Sequence, residues 1–436
     1  MAKKRIIILG AGLSGLSTAW HLQKNGIECR VFEKEPEVGG LCRSKQVNGF
    51  TFDYDGHLLH FKHGYTFRLI KSLLGNNLVE HKRSAWIYYR GRYSRYPFQA
   101  NLYGLPSKII KECLFNFIKA HSSGYPPDKS SLNFAEWICK TFGDGIARHF
   151  MIPYNKKFWT IPLKELTCEW LDGFIPVPSL RQIIEGTVEE SRRQFGYNAR
   201  FWYPRDGGIH TLARAFASQI KTIHTGCETI GIDMRKKKVT MRTGERERFD
   251  YLVSTIPLPK MAHLVSGLPA DIRFLFKKLR WNSIFNLNLG IDKADTSGYH
   301  WVYFPEKQIS FFRVGFPHNF SSVHASGAKS SLYAEAAYSK ERPVDKRNIA
   351  SAIKADLKKT GILSQYDKIC AQDINDIHYG YPIYDAHYAQ ARKQILNHFS
   401  GKNIVCCGRY GSWRYMSMED VILEGRQTAD LLSSYD

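Results

Sequence analysis

Near its start the chain carries Ile6, Ile7, Ile8 and Leu9, an unbroken apolar run of strand length. A run that is apolar at every position suits a strand buried on both faces, as in a parallel sheet with helices on either side. Glycines at 10, 12 and 15 follow. A helical pattern then covers 16–25, and Gly26 stops it. A second strand is predicted over 28–32, so strand, helix and strand fit in the roughly 30 residues a βαβ unit needs. From about 65 to 191 the pattern is mostly helical, with aromatic-rich inserts at 93–101 and 153–159. Charged stretches within 236–248 predict hairpins, and 250–255 predicts another core strand. The region 281–337 alternates apolar and polar as antiparallel strands do. A last strand at 403–407 runs into Gly408 and a terminal helix at 419–433. The expected fold is α/β. A Rossmann-like domain is assembled from 1–64, 200–260 and 395–436, with a mainly helical domain over 65–199 and an antiparallel sheet domain over 261–394.

With 436 residues the chain is too long for one ordinary domain, which agrees with several units. Its 43% apolar and 23% charged residues exclude bulk disorder. No stretch approaches the roughly 18–20 apolar residues of a membrane span. Sixty-two Lys and Arg against 40 Asp and Glu give +22, which favours an anionic ligand. The positive charge is scattered and no RNA-binding motif accompanies it, so no specific nucleic-acid partner is expected. Nine cysteines without a C-x-x-C point to a reducing compartment. Lys3, Lys4 and Arg5 before the apolar run imitate a signal peptide, but regularly spaced glycines follow in place of a cleavage site. A cytoplasmic protein is expected. The 16 histidines form no cluster of metal-ligand spacing, and no G-x-S-x-G elbow occurs.

Gly10, Gly12 and Gly15 have the G-x-G-x-x-G spacing. Gly10 allows a tight turn, Gly12 lets the backbone approach a pyrophosphate, and Gly15 lets the helix pack on the sheet. Glu33, at the end of the second strand, is placed to accept both ribose hydroxyls. Directly after it come Gly39, Gly40 and the basic Arg43. An acidic residue, a short spacer, Gly-Gly and a basic residue resemble the FAD signature of amine-oxidase-like flavoproteins. Arg43 offers that diphosphate a charge-assisted contact.

Further segments carry a second resemblance. They are Asp55-Gly56-His57-Leu58-Leu59, Tyr96-Pro97-Phe98-Gln99, Pro153 to Trp159 with Asn155 inside, and Tyr203 to Gly208. Tyr303 to Glu306, Phe312-Arg313, Gly380-Tyr381-Pro382 and Gly408 to Tyr415 complete them. In this order they resemble the UDP-galactopyranose mutase family, especially its eukaryotic-type members, over nearly the whole chain. The resemblance implies FAD, active when reduced, and a UDP-sugar interconverted between pyranose and furanose forms through a reduced-flavin N5 sugar adduct. It implies a place in cell-surface polysaccharide biosynthesis, NADPH or NADH as candidate reductant, and room for an oligomer. By that resemblance His57 and Arg409 lie beside the flavin, with Gly408 also at the cofactor. Arg313, Tyr303, Tyr381 and Tyr415 hold the leaving diphosphate, while Tyr96, Phe98, Gln99, Asn155 and Trp159 line the uridine site. The other reading is an FAD-dependent oxidoreductase of the amine oxidase, protoporphyrinogen oxidase or desaturase type.

Taken one at a time, the tyrosines, Trp159 and His57 read as packing residues. Arg313 stands out because it lies in the apolar stretch 309–316, and a buried arginine without an anion is expensive. Three positions depart from the family pattern. Phe174 replaces an arginine, Phe320 replaces a diphosphate-binding tyrosine, and Ser417 stands where bacterial members have aspartate.

Overall fold

The computed structural model describes residues 4–124, 127–171, 173–190, 195–196, 198–325 and 327–434. A five-stranded parallel sheet runs in the order Ile404–Cys406, Tyr251–Ser254, Ile6–Leu9, Cys29–Phe32 and Ile223–His224. Ile6–Leu9 is central, and each of its four residues is buried, as the unbroken apolar run requires. The helix Leu13–Lys24 covers one face and packs along the C-terminal helix Met418–Ser433, where Ser17 donates to the Ile422 carbonyl at 2.8 Å. The carboxyl ends of four neighbouring strands therefore deliver Gly10, Glu33, Thr255 and Cys407 to one edge. In open parallel sheets ligands bind at that edge.

A seven-stranded sheet follows the order Ile369–Pro382, Trp281–Ile291, Ser330–Tyr338, Arg313–Gly315, Trp301–Tyr303, Ala85–Tyr89 and Arg92–Arg95. Trp281–Ile291 alternates as predicted, yet both of its faces are buried. Phe285, Leu287 and Leu289 pack toward Ile353 and Leu357 of the helix Ile349–Lys359. Asn286 and Asn288 point the other way, under the loop that follows the strand Phe50–Asp53: Asn288 Nδ2 donates to the Asp53 carbonyl at 3.2 Å. The polar phase of this strand is an interface between the two sheets' segments, and it is satisfied by hydrogen bonds.

The expectation of a mostly helical stretch over 65–191 needs correction. Leu78–Lys82 pairs with Arg200–Pro204, while Ala85–Tyr89 and Arg92–Arg95 form a hairpin that extends the seven-stranded sheet. Ala85, Ile87 and Tyr89 are buried and the intervening Trp86 and Tyr88 half-buried. That is a period of two, with a turn at Arg90 and Gly91. Helices Ser107–Ser122, Phe134–Ile146, Ile152–Trp159 and Leu180–Val188 come after it. Asn133 and Ser179 start two of these with reciprocal capping boxes.

Helix Ile152–Trp159 joins the helical region to the sheet through Lys157. This buried side chain donates to the carbonyls of Phe304 at 2.7 Å, Glu306 at 3.1 Å and Phe311. Lys157→Met keeps the stem and strands these acceptors. The expected cost is about 2–4 kcal/mol of folding free energy, read as a lowered denaturation midpoint with an unchanged slope. A midpoint equal to that of the parent protein would remove this strut from the account.

Candidate functional site

Two glycine segments face each other at the edge of the parallel sheet. Gly10 sits at φ +100°, and a Cβ there would collide with Thr255. Gly12 has an ordinary backbone, φ −69° and ψ 174°, so its lack of a side chain serves space and not conformation. Gly39 N donates to the Ala11 carbonyl at 2.8 Å, bringing the second segment alongside the first. A Cβ on Gly40 would lie 3.2 Å from the Gly12 Cα. Gly15 serves packing, since a Cβ there would meet the Gly10 carbonyl. Buried Glu33 accepts from Ala11 N at 2.7 Å and from Glu35 N at 2.9 Å, which fixes its carboxylate and leaves lone pairs for hydroxyl donors.

Arg43 Nε donates to the Gly40 carbonyl at 2.7 Å, and its guanidinium lies 4.3 Å from the Tyr54 ring. It therefore ties down the Gly39–Gly40 turn. Gly408, at φ +82°, opens a single helical turn where any Cβ would strike Ser14. A flavin dinucleotide needs a floor free of side chains for its diphosphate and a carboxylate for its ribose. Residues 10–43 provide both.

These groups line a cavity of about 820 Å³ together with His57, Arg313, Tyr381, Arg409, Tyr410 and Tyr415. His57 hydrogen-bonds through Nδ1 to the Asp55 carbonyl at 2.9 Å. A carbonyl only accepts, so the proton of the neutral ring sits on Nδ1. Burial works against its imidazolium, but Cys42, Asp53 and the Asp55 carbonyl outweigh that and hold its pKa above the ordinary histidine value. Arg409 Nη2 donates to the Gly380 carbonyl at 3.1 Å, and its Nε is buried with no partner. The guanidinium stands 4.6 Å from the Tyr381 ring, 5.0 Å from Tyr415 and 5.5 Å from Tyr410. Among the described residues no carboxylate pairs with it. Tyr381 and Tyr415 stack at 5.7 Å, and Phe174 meets Tyr415 edge-on at 4.7 Å. Burial raises the pKa values of Tyr381 and Tyr410, so both stay neutral donors.

Arg313 differs from Arg409. Its Nη2 donates to Glu335 Oε1 at 2.7 Å and its Nε to Oε2, and Glu335 is fully buried on the neighbouring strand. Arg313, expected to need an anion, is half-buried and finds that anion within the chain. Glu335 was missed because it lies 22 residues away. The available signal was a lone glutamate in the otherwise apolar and small run Ser330–Tyr338.

Seven expected site residues stand away from this cavity's lining. Gly15 is one. Tyr96 and Tyr303 face each other at 5.2 Å, with Arg83 4.8 Å from Tyr96. Phe98 stacks on Phe150 at 5.1 Å in the core. Gln99 donates to the Pro176 carbonyl at 2.7 Å. Asn155 bonds back to the Met151 carbonyl at 2.7 Å, and Trp159 packs 4.7 Å from Trp170. Of the departures, Phe320 lies in the aromatic core beside Phe201, Tyr203, His300 and Trp301. Ser417 caps the helix Met418–Ser433 through a capping box with Asp420. Among the described residues no group of three or more His, Cys, Asp or Glu could hold a metal, and no helix is long and apolar enough to cross a membrane.

A family description, flavin containing amine oxidoreductase, matches residues 13–433, which include Gly39, Gly40, Arg43 and Gly408. The chain belongs to this family. FAD is the cofactor of this chain. Among curated proteins it is similar to 4,4'-diaponeurosporene oxygenase of Staphylococcus haemolyticus (strain JCSC1435), with 24% identity over 67% of this chain and 63% of that protein. It is also similar to zeta-carotene-forming phytoene desaturase of Myxococcus xanthus, with 46% identity over 12% of this chain and 10% of that protein. The chain therefore spans under two thirds of the length of these curated relatives. Among solved structures, reduced UDP-galactopyranose mutase is similar at TM-score 0.95 and 26% identity, covering 100% of this chain and 95% of that one. A CLA-producing fatty acid isomerase from P. acnes shares the fold at TM-score 0.69 and 14% identity, over 100% and 99% of the two chains.

Proposed function

We propose that this flavoprotein is a nucleotide-sugar mutase that interconverts pyranose and furanose forms of a UDP-sugar. The observation that carries the reading is full-length similarity to reduced UDP-galactopyranose mutase at TM-score 0.95. The cationic and phenolic cavity wall adds chemical support. Bound and reduced, FAD would supply an electron-rich nitrogen nucleophile without net oxidation, as an isomerisation requires.

The chain's own residues do the rest. Arg409, a half-buried cation without an internal anion, attracts the diphosphate that leaves and returns. The hydroxyls of Tyr381 and Tyr415 donate to it, and their stacked rings keep water off the reacting sugar. His57, oriented by the Asp55 carbonyl, presents Nε2 and holds or releases a proton there. Gly10, Gly12, Gly39, Gly40, Glu33, Arg43 and Gly408 hold the cofactor. Tyr96, Phe98, Gln99, Asn155, Trp159 and Tyr303 shape the uridine side from behind the first layer of side chains. NADPH or NADH is the reductant in this reading, and the protein acts in the cytoplasm.

The test is to reduce the purified holoprotein and offer UDP-galactofuranose and related UDP-sugars. Ring isomerisation confined to the reduced state supports the proposal. Sequence similarity to an oxygenase and a desaturase favours a second reading, an oxidoreductase on the same fold. Turnover that consumes oxygen or quinone, with no sugar isomerised, would establish that reading instead.

A further inference from the structure

A second carboxylate lies behind Arg313. Glu335 stands directly opposite Arg313 on one neighbouring strand and opposite Asn286 on the other. Asn286 Nδ2 donates to Asp55 Oδ1 at 3.2 Å, and Gly56 N donates to the same oxygen at 2.8 Å. That seats Asp55 over the row and in hydrogen-bonding contact with Glu335. Ionised carboxylates only accept, so two carboxyl groups bond to each other only when one carries a proton.

The charge count agrees. Two carboxylates and one guanidinium would leave a net negative charge around a fully buried Glu335, whereas one retained proton makes the cluster neutral. The remaining titratable groups facing Glu335 and Arg313 are Tyr333 on the same strand, Tyr303 and Tyr381 on other strands, and Tyr154 on the helix Ile152–Trp159. Burial keeps all four hydroxyls protonated. Asp53 is engaged by the hydroxyls of Tyr203 and Ser44, and His57 binds the backbone of Asp55 and not its carboxylate. Arg313 is the cluster's single cation among the described residues.

We propose that Asp55 and Glu335 share one proton behind Arg313 and so set how much positive charge that arginine presents to an anion in the cavity. This rests on the reading that the cavity takes a nucleoside diphosphate. Neither carboxyl lines the cavity, so both are positioning residues. The only chemical change is proton exchange between the pair and solvent. Burial raises the Glu335 pKa, Arg313 opposes it and Asp55 adds to it, leaving the group near 8. Below that value Arg313 faces one negative charge. Above it, the arginine faces two, and anion affinity falls.

The experiment is UDP binding to the FAD-loaded protein by titration calorimetry, one pH unit either side of 8. If only the protonated pair supports tight binding, the dissociation constant rises about tenfold across this range. In Asp55→Asn, Glu335 pairs with Arg313 alone, so the rise shrinks to under about twofold and the alkaline affinity improves over the parent. Nucleotide ionisation is common to both proteins and cancels in the comparison. A flat parent profile, or an undiminished slope in Asp55→Asn, overturns the proposal while leaving the nucleotide-sugar reading in place. If UDP does not bind at any pH, that reading fails, and infrared spectroscopy then decides the shared proton. A carboxylic-acid band titrating in the same range, and missing from both Asp55→Asn and Glu335→Gln, is expected; its absence from the parent refutes the pair.

Discussion

Gly12→Val is expected to yield a folded, colourless protein. The backbone of Gly12 lies in a region open to any L-residue, so the substitution brings no conformational strain. Its side chain would fill the space between two backbone segments that approach each other without Cβ atoms, where Gly40 Cα lies 4.0 Å from the ideal Cβ position. A bulky group there keeps a dinucleotide diphosphate from the amides and the helix N-terminus that would bind it. The same change at Gly10 or Gly408 would confound the result, because positive φ angles there penalise every side chain. The measurements are flavin absorbance per protein after purification and circular dichroism on heating. Flavin content should fall by more than about tenfold, a loss of at least 1.4 kcal/mol in binding, with secondary structure retained. A yellow Gly12→Val protein with full flavin content would show that the cradle does not hold the diphosphate.

Arg409→Ala should separate ligand binding from stability. A charge-assisted hydrogen bond contributes about 1.5–3 kcal/mol, so losing this one should weaken UDP binding by about 10- to 150-fold. Folding stability should hold or rise, because the side chain removed is a half-buried cation whose buried Nε has no partner. Such a trade is the mark of a group kept for function at a cost in stability. Calorimetric UDP titration and a melting curve on the same preparation check both halves. Unchanged UDP affinity would assign the anion to another part of the cavity. A large drop in melting temperature would make Arg409 a structural residue.

The two arginines show what the sequence could and could not reveal. Arg313 stands out by its apolar surroundings and Arg409 by the family resemblance alone, and both line the cavity. Only pairing between strands reveals that Arg313 is already neutralised by Glu335 while Arg409 is not. The βαβ unit was legible because local signals agree: four apolar residues, three spaced glycines and a strand ending in Glu33. The strands Leu78–Lys82 and Arg92–Arg95 were hidden, since His81, Lys82, Arg92 and Arg95 give them a charged texture and tertiary pairing supplies their stability. Tyr96, Phe98 and Trp159 of the expected uridine segments lie outside the cavity's lining. Motif position marks which segments form the neighbourhood, but not which ring faces inward.

The parallel sheet also constrains biosynthesis. Its central strand Ile6–Leu9 pairs with Tyr251–Ser254, which pairs in turn with Ile404–Cys406, and both emerge from the ribosome far later than Ile6–Leu9. The helix Met418–Ser433 that packs on Leu13–Lys24 is made later still. A nascent chain therefore exposes the glycine turn and its sticky apolar strand for most of translation, with nothing to close around them. The glycine turn is therefore enclosed only after Met418–Ser433 has been made, and until then the chain is a natural client for chaperones.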